Sequence, residues 1–519
     1  MNKKTFLLIL LLIVTFTGYA QTVAIDSIKQ IWYNEVDFIA KSIQGNSIDY
    51  LRGLTQEEWD EGIKEINKKV DKATTNNEYY YTLRYFGTLI NDAHGEFPDD
   101  GVYNRTGIFK KTDTIFPLWV KSWLDYRTFT VRDFSNIIPK YSEIISVNGI
   151  SAKEISFEKR RLIPMENRIA MAYTSDENAG NPRTGTNFAN YLFCENIKHP
   201  FTVEYKLYTD DTIRKVISTG MQRNEIYKMQ KEEGKIAKEG FAFLFDFGKN
   251  TIEYNKISDS IGVLEIKMFV GSRFLRFLFA GTDTGFYKKL AKIMNQIKKD
   301  GIKHLIIDLR NNIGGYEYDV YELLACFTDE KFHIPEIYKI TDEIKQNNSK
   351  WLTKHLKKVY KYIYGKDNTD ALRSVEIFNS LSVGSYFRTD TILSMQYTPR
   401  YSGEKFTGKI YLLTNGMCYS ASIIFTDLFK SRKLGVLAGE SPGGYSAVSS
   451  GDGITINLPF SKFMPLDIPI TLKGTSVPNK YEYIEPDIPI EPTMEEWLYE
   501  THDSLEKLVK MIKENKIKF

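Results

Sequence analysis

Tyr411-Leu-Leu-Thr-Asn-Gly-Met-Cys-Tyr-Ser-Ala-Ser-Ile-Ile-Phe425 is the stretch from which the fold can be read. Ile410 to Leu413 is an apolar run of strand length, and Thr414-Asn415-Gly416 is a turn signal. Ser420 to Phe429 then takes helical spacing, with Ile424 and Leu428 on one stripe. Ser420 therefore stands where a strand becomes a helix. There a hydroxyl can project into a cleft while the unpaired N–H groups of the first helical turn point the same way and can hold a developing oxyanion. The stretch alone equally allows Ser420 to be a helix cap. It also leaves open whether Cys418 is a competing nucleophile or an inert buried thiol.

The flanking sequence predicts a buried sheet around this element. Upstream, Ile261-Gly-Val-Leu-Glu-Ile266 reads as a strand, and Phe286, Leu290, Ile293 and Ile297 mark a helix. His304-Leu-Ile-Ile-Asp-Leu309 is apolar without alternation, which suits a strand covered on both faces. It empties into Asp308-Leu-Arg-Asn-Asn-Ile-Gly-Gly315, whose paired glycines let the backbone approach a ligand closely and offer N–H groups to an oxyanion. Read locally, the same loop is also an ordinary turn into a helix. Downstream, Leu434 to Ala438 is a strand, Gly439-Glu-Ser-Pro-Gly-Gly444 a turn, and Ile454 to Leu458 an alternating strand. Leu498, Leu505, Leu508, Val509 and Ile512 predict one final amphipathic helix. Residues 334–400, with a lysine-rich stretch at 351–364, read as an insertion.

The first part of the chain is helical. Three stripes follow one another: Ile28, Trp32, Val36, Ile39 and Ile43; Trp59, Ile63, Ile66 and Val70; Tyr79, Leu83, Phe86 and Ile90. The third runs into Asn91-Asp92-Ala93-His94-Gly95, which places His94 at a helix C-terminus stopped by Gly95. A histidine there can simply complement the helix dipole. Short strands follow at Phe116 to Val120, Thr128 to Val131 and Glu143 to Val147, the last ending in the tight-turn pair Asn148-Gly149. The domain layout expected is a leader at 1–20, a helical domain at 21–110 carrying His94, a β domain with connector at 111–250, and a core at 251–519.

Composition narrows the function classes. With 519 residues and 42% hydrophobic content the chain can bury a large core. Lys and Arg number 69 against 66 Asp and Glu, interleaved along the chain, so there is no concentrated basic face for nucleic acid. Lys3 and Lys4, the apolar run Phe6 to Phe16 and Gly18-Tyr19-Ala20 read as a secretory signal, with an uncleaved anchor as the alternative. The mature protein is expected to start near Gln21, in the periplasm or outside the cell, with no membrane span once the leader is gone. Three cysteines, Cys194, Cys326 and Cys418, make no disulfide framework, and no Cys/His cluster has metal spacing, so neither metal nor cofactor is expected.

Together, Asp308-Leu-Arg-Asn-Asn-Ile-Gly-Gly315, Ser420-Ala-Ser422, Gly439-Glu-Ser-Pro-Gly-Gly444 and Glu485-Pro-Asp-Ile488 resemble the core of the C-terminal-processing (tail-specific) serine peptidases over about 255–515. The resemblance implies a multidomain α/β protein with a crotonase/ClpP-like β-spiral core. It also implies that Tyr141-Ser-Glu-Ile-Ile-Ser-Val-Asn-Gly149 belongs to a PDZ-like domain, although Tyr141 stands where a glycine is usual. One branch of the family uses a Ser/Lys dyad, but the corresponding position here is Tyr445, and no residue from Ser441 to Asp452 is Lys. The tricorn-like branch takes a His from an Asp-x-His segment near the N-terminus, and Asn91-Asp-Ala-His94 is similar to it.

The resemblance thus implies Ser420 as nucleophile, His94 as general base, and N–H groups of Gly314 or Gly315 and of Ala421 as oxyanion donors. It implies a glutamate from the C-terminal part as the third group, Glu482 first and Glu485 second. Ala93 and Gly95 depart from the tricorn neighbours of the His. A serine hydroxyl needs a base to become a nucleophile, and imidazole suits that task. His199, His304, His333, His355 and His502 carry no partner motif. The expected activity is an exported endopeptidase acting on protein or peptide. The alternatives are an inactive peptide- or apolar-ligand-binding protein on the same scaffold and an α/β-hydrolase esterase, for which Gly444-Tyr-Ser-Ala-Val448 is only half the motif.

Overall fold

The N-terminal stripes form helices where their spacing puts them: α1 over 27–46, α2 over Gln56–Lys72 and α3 over Asn76–Thr82. Thr55 with Glu58, and Thr75 with Glu78, close capping boxes that start the second and third. The third stripe continues through a 3₁₀ turn, Leu83–Phe86, into α4, Gly87–Ile90. This computed structural model describes residues 27–95, 109–164, 166, 188–233, 251–271, 285–330, 336–342, 345, 376–377, 379–388, 399–449, 453–462, 464–474 and 481–518. The leader at 1–20 and the lysine-rich stretch 351–364 lie outside the described residues.

The PDZ-like unit follows. Strands β1 (Leu118–Ser122), β2 (Thr128–Asp133) and β3 (Glu143–Val147) precede helix α5 (Ala152–Arg161), and β4 (Phe201–Lys206) and β5 (Arg214–Ser218) complete an antiparallel sheet in the order β1-β2-β3-β4-β5. Asn148 and Gly149, with φ of 51° and 82°, make the tight turn back from β3 that their sequence predicts.

The core is built on β6 (Ile252–Lys256), β7 (Ile261–Ile266), α6 (Phe286–Lys299), β8 (His304–Asp308), α7 (Glu317–Leu324), β9 (Lys409–Thr414), α8 (Ala421–Ser431), β10 (Val436–Gly439), β11 (Ile488–Pro489) and α9 (Ser504–Lys513). Among the described residues these strands form one sheet in the order β11-β10-β9-β8-β7-β6, parallel except for β6. Leu305, Ile307, Leu412 and Leu437 pack under α6, α7 and α8, while Ile306, Tyr411, Leu413 and Ala438 pack against α9. Both faces are covered, as the unbroken apolar strands require. Each fully buried Leu or Ile contributes about 1.5–3 kcal/mol. The predicted single C-terminal helix is two: Met494–Tyr499 ends at Glu500 in the left-handed region, and Asp503 caps α9 by accepting from the Leu505 and Glu506 N–H groups.

The register decides where the loops emerge. Asp308 lies opposite Leu413, and Thr414 opposite Gly439, so the loops after β8, β9 and β10 leave the sheet side by side at its carboxyl edge. That edge is where open parallel sheets bind ligands.

The N-terminal helices reach this edge through a hairpin of the core. Strands Gly453–Asn457 and Pro465–Pro469 send Ile454, Leu466 and Ile468 into the same apolar cluster as Trp32, Val36, Trp59 and Ile90. The buried Glu35 carboxylate on α1 accepts from the Phe460 N–H (2.6 Å), the Ser461 N–H (2.7 Å), the Ser461 hydroxyl (2.6 Å) and the Tyr79 hydroxyl (2.8 Å). No described helix is long and apolar enough to cross a membrane.

Candidate active site

Ser420 sits at the N-terminus of α8 with φ 55° and ψ −120°, and its side chain makes no capping hydrogen bond. A non-glycine residue held there costs about 1–3 kcal/mol and persists only where its surroundings enforce it. The enforcing contacts come from the neighbouring loops. The Asn312 carbonyl accepts from the Tyr419 N–H (3.0 Å) and the Ser422 hydroxyl (2.8 Å). The Gly443 N–H donates to the Cys418 carbonyl (2.8 Å), and the Gly416 N–H to the buried Glu440 carboxylate (3.0 Å). The motif after β10 thus braces the turn before the serine.

Cys418 is buried and its Sγ donates to the Leu309 carbonyl at 2.9 Å. Burial pushes its thiol up to about 12. It behaves as a packed core group, with no thiolate to offer.

The glycine loop presses against the serine from the other side. Asn312 donates to the Ile266 carbonyl (2.7 Å) and accepts from the Gly314 N–H (2.8 Å). Gly314 and Gly315 have φ of 112° and 133°, and a Cβ on either would meet backbone atoms closer than 3.0 Å. The Gly314 N–H, one of the two glycine donors expected for an oxyanion, is therefore engaged by Asn312. Among the described residues the N–H groups of Gly315 and Ala421 carry no hydrogen bond.

His94 arrives from the helical segment. α4 stops earlier than expected, at Ile90, because Asn91 takes the left-handed conformation (φ 43°) that ends helices; Gly95 instead closes the next turn by donating to the Asp92 carbonyl. The Asp92 carboxylate accepts from the His94 N–H at 2.9 Å. This turn presents the ring so that Nε2 lies 3.1 Å from Ser420 Oγ, across 326 residues of sequence. Nδ1 lies 3.0 Å from Ser449 Oγ, whose hydroxyl donates to Asp92 Oδ1 at 2.6 Å. A carboxylate can only accept, so the one Ser449 proton is committed to Asp92. His94 Nδ1 must then be the N–H donor to Ser449, which leaves Nε2 as the acceptor facing Ser420. The Tyr419 ring packs 4.9 Å from the imidazole, centre to centre.

Neither expected glutamate meets the imidazole. Glu482 is exposed and its carbonyl accepts from the Ser446 N–H, while the Glu485 carboxylate accepts from the Ser441 hydroxyl at 2.9 Å. Both ring nitrogens of His94 are taken up by Ser420 and Ser449. The carboxylate that His94 Nδ1 reaches, through Ser449, is Asp92. Asp-x-His was visible in the sequence, but Ser449 had no local signal, because only the packing of the strand at Val448–Ser449 brings it to the ring.

Burial alone would push the Asp92 carboxyl up. The Arg52 guanidinium, with Nε 3.2 Å from Oδ2, and the hydrogen bonds with His94 and Ser449 outweigh that and hold it down at about 2. Arg52 also donates to Glu166 Oε1 at 2.8 Å, and Glu166 accepts from the Tyr419 hydroxyl at 3.2 Å. The described residues contain no group of three or more His, Cys, Asp or Glu side chains arranged to hold a metal ion.

A strained serine at a strand-to-helix elbow, on the carboxyl edge of a crotonase/ClpP-like sheet with a glycine loop beside it, defines the class: a multidomain α/β serine peptidase. Residues 260–490 match the model of peptidase family S41, and this part of the chain is a serine-type peptidase core of the C-terminal-processing kind. Mature CPAF is similar in structure, with a TM-score of 0.58 and 14% identity over 94% of this chain and 98% of that one. CPAF complexed with lactacystin gives 0.56 and 15%, over 94% and 99%. No curated protein matches at the sequence level.

Proposed function

We propose that the protein is an exported endopeptidase in which Ser420 is the nucleophile and His94 its general base, the arrangement of the tricorn-like branch in place of the Ser/Lys dyad. The observation that carries this reading is the 3.1 Å contact between His94 Nε2 and Ser420 Oγ, with the tautomer set by Ser449 and Asp92.

In this reading Ser420 Oγ attacks the scissile carbonyl as Nε2 takes its proton. The imidazolium is then stabilised by Asp92 through Ser449. Negative charge gathers on the carbonyl oxygen between the N–H groups of Gly315 and Ala421. His94 returns the proton to the leaving amine, and a water molecule, deprotonated by the same nitrogen, releases the acyl group. Gly314 contributes by shape: it lets the loop lie against the serine. Export is supported by the leader-like composition of residues 1–20.

The test is the Ser420→Ala variant. It is expected to lose hydrolysis of denatured casein and labelling by a fluorophosphonate while keeping the wild-type circular dichroism spectrum. Labelling at the wild-type level would overturn the assignment.

A further inference from the structure

Among the described residues Asp92 and Glu166 share one cation. Arg52 pairs with Asp92 at 3.2 Å and with Glu166 at 2.8 Å, and the three side chains are exposed by only 3%, 4% and 1% respectively. With both carboxylates ionised the cluster carries two negative charges and one positive, an excess that is costly to bury. Among the described residues the neighbouring groups do not cancel it. Tyr419 donates a neutral hydroxyl to both Glu166 oxygens, and the Tyr483 hydroxyl donates to the Glu166 carbonyl. Arg52 reaches the Ala447 carbonyl as well, and the Tyr445 and Tyr481 rings lie against it. Asp49 and Asp467 line a cavity of about 10 Å³, room for one water, beside Arg52 and Asp92, and bring no cation. Burial pushes the Glu166 carboxyl up against the pull of Arg52, and the other described titratable group placed to restore balance is His94, which contacts Asp92 through Ser449 and touches the Tyr419 ring.

Resting on the Ser420–His94 reading, we infer that Glu166 is a positioning residue for that pair. Through Arg52 it supplies the second negative charge that makes protonated His94 the charge-balanced state, and through Tyr419 it holds the residue preceding the nucleophile. Glu166 touches neither the substrate nor the reacting atoms. It acts because the imbalance is present before reaction and is relieved when the imidazole takes the serine proton, which is electrostatic preorganisation. Arg52 transmits the effect: its carbonyl accepts from the Asn91 side chain at 2.8 Å, so the loop that holds Glu166 also holds the His94 turn.

The experiment compares the wild-type full chain with Glu166→Gln, Glu166→Asp and Tyr419→Phe in pH profiles of denatured casein hydrolysis and fluorophosphonate labelling. Glu166→Gln keeps the shape and removes the charge. It is expected to lower plateau kcat about 10-fold with KM little changed, and to move the acid limb down by about half to one pH unit, since a less favoured imidazolium deprotonates at lower pH. Glu166→Asp is expected to restore the limb. Tyr419→Phe keeps every charge and is expected to lower the plateau with the midpoint in place. An unmoved midpoint in Glu166→Gln, with or without a lower plateau, would overturn the inference; if that variant does not fold, a shifted midpoint in Tyr419→Phe would do so. Ser420→Ala in the same assays separates the two claims. Residual hydrolysis by Ser420→Ala, or failure of the wild type to label, sinks the underlying pair and the inference with it. An inactive Ser420→Ala beside a Glu166→Gln indistinguishable from wild type sinks the inference alone.

Discussion

Replacing Gly314 by alanine tests whether the elbow is a reaction centre or only a turn. A Cβ at that position would lie 2.6 Å from Ser420 Cβ, 2.8 Å from the Tyr419 carbonyl oxygen and 3.0 Å from the Ala421 nitrogen. Nonbonded carbons rest about 3.5–4.0 Å apart, so relief needs roughly 1 Å of movement. All three obstacles belong to Ser420 and its neighbours in the chain, and none is the far end of a flexible side chain. The φ of 112° adds strain of about 1–3 kcal/mol, and overpacking about as much again. The expected loss of stability is therefore roughly 2–5 kcal/mol. The expected loss of reactivity is larger in proportion, since a 1 Å misplacement of a reacting atom costs about 100-fold. Because the Gly314 N–H is committed to Asn312, the variant removes no oxyanion donor, and the loss measures geometry alone. The assay is the second-order rate of fluorophosphonate labelling, with circular dichroism and thermal melting on the same sample. A folded variant that labels within about threefold of wild type would refute the claim that Gly314 sets the position of Ser420.

Three further predictions address the relay and the docking of the helices. Asp92→Asn is expected to cut kcat/KM by about 100-fold or more, and Glu482→Gln by only a few fold; the reverse order would return the third position to Glu482. Asp92 also makes stability pH-dependent. Its folded pKa, about 2, lies below the value near 4 of an unfolded aspartate, so its contribution is full above pH 4 and is lost as pH falls through 2. The difference in unfolding free energy between wild type and Asp92→Asn, measured with denaturant, should shrink by on the order of 2 kcal/mol across that window. Glu35→Ala strips the acceptor from four donors and is expected to cost about 3 kcal/mol or more. It should also slow labelling, because the hairpin that Glu35 anchors holds the helical segment carrying His94; unchanged labelling in a destabilised variant would show that the two are uncoupled.

Much of the architecture could be read locally. The strand at Ile410–Leu413, the turn at Asn415-Gly416 and the helix after Ser420 depend on side-chain period and turn chemistry, which act over a few residues. The three N-terminal stripes and the strands ending in Asp308 and Gly439 follow for the same reason. Where local reading failed, a cap or a contact intervened: Asn91 ended α4 before Gly95 could, and Glu500 with Asp503 split the last helix.

The sequence by itself determined which residue types could do chemistry and the elements that carry them: Ser420 at an elbow, His94 after a helix, paired glycines after a strand. Only the tertiary structure decided which of them meet. It set Asp92 and Ser449, not Glu482, beside His94, tied the Gly314 N–H to Asn312, and buried Arg52 between two carboxylates. The physical reason is range. Periodicity is a property of neighbours in the chain, whereas the links from His94 to Ser420 and from Asp92 to Ser449 span 326 and 357 residues and exist only because a hairpin of the core packs against the first helices.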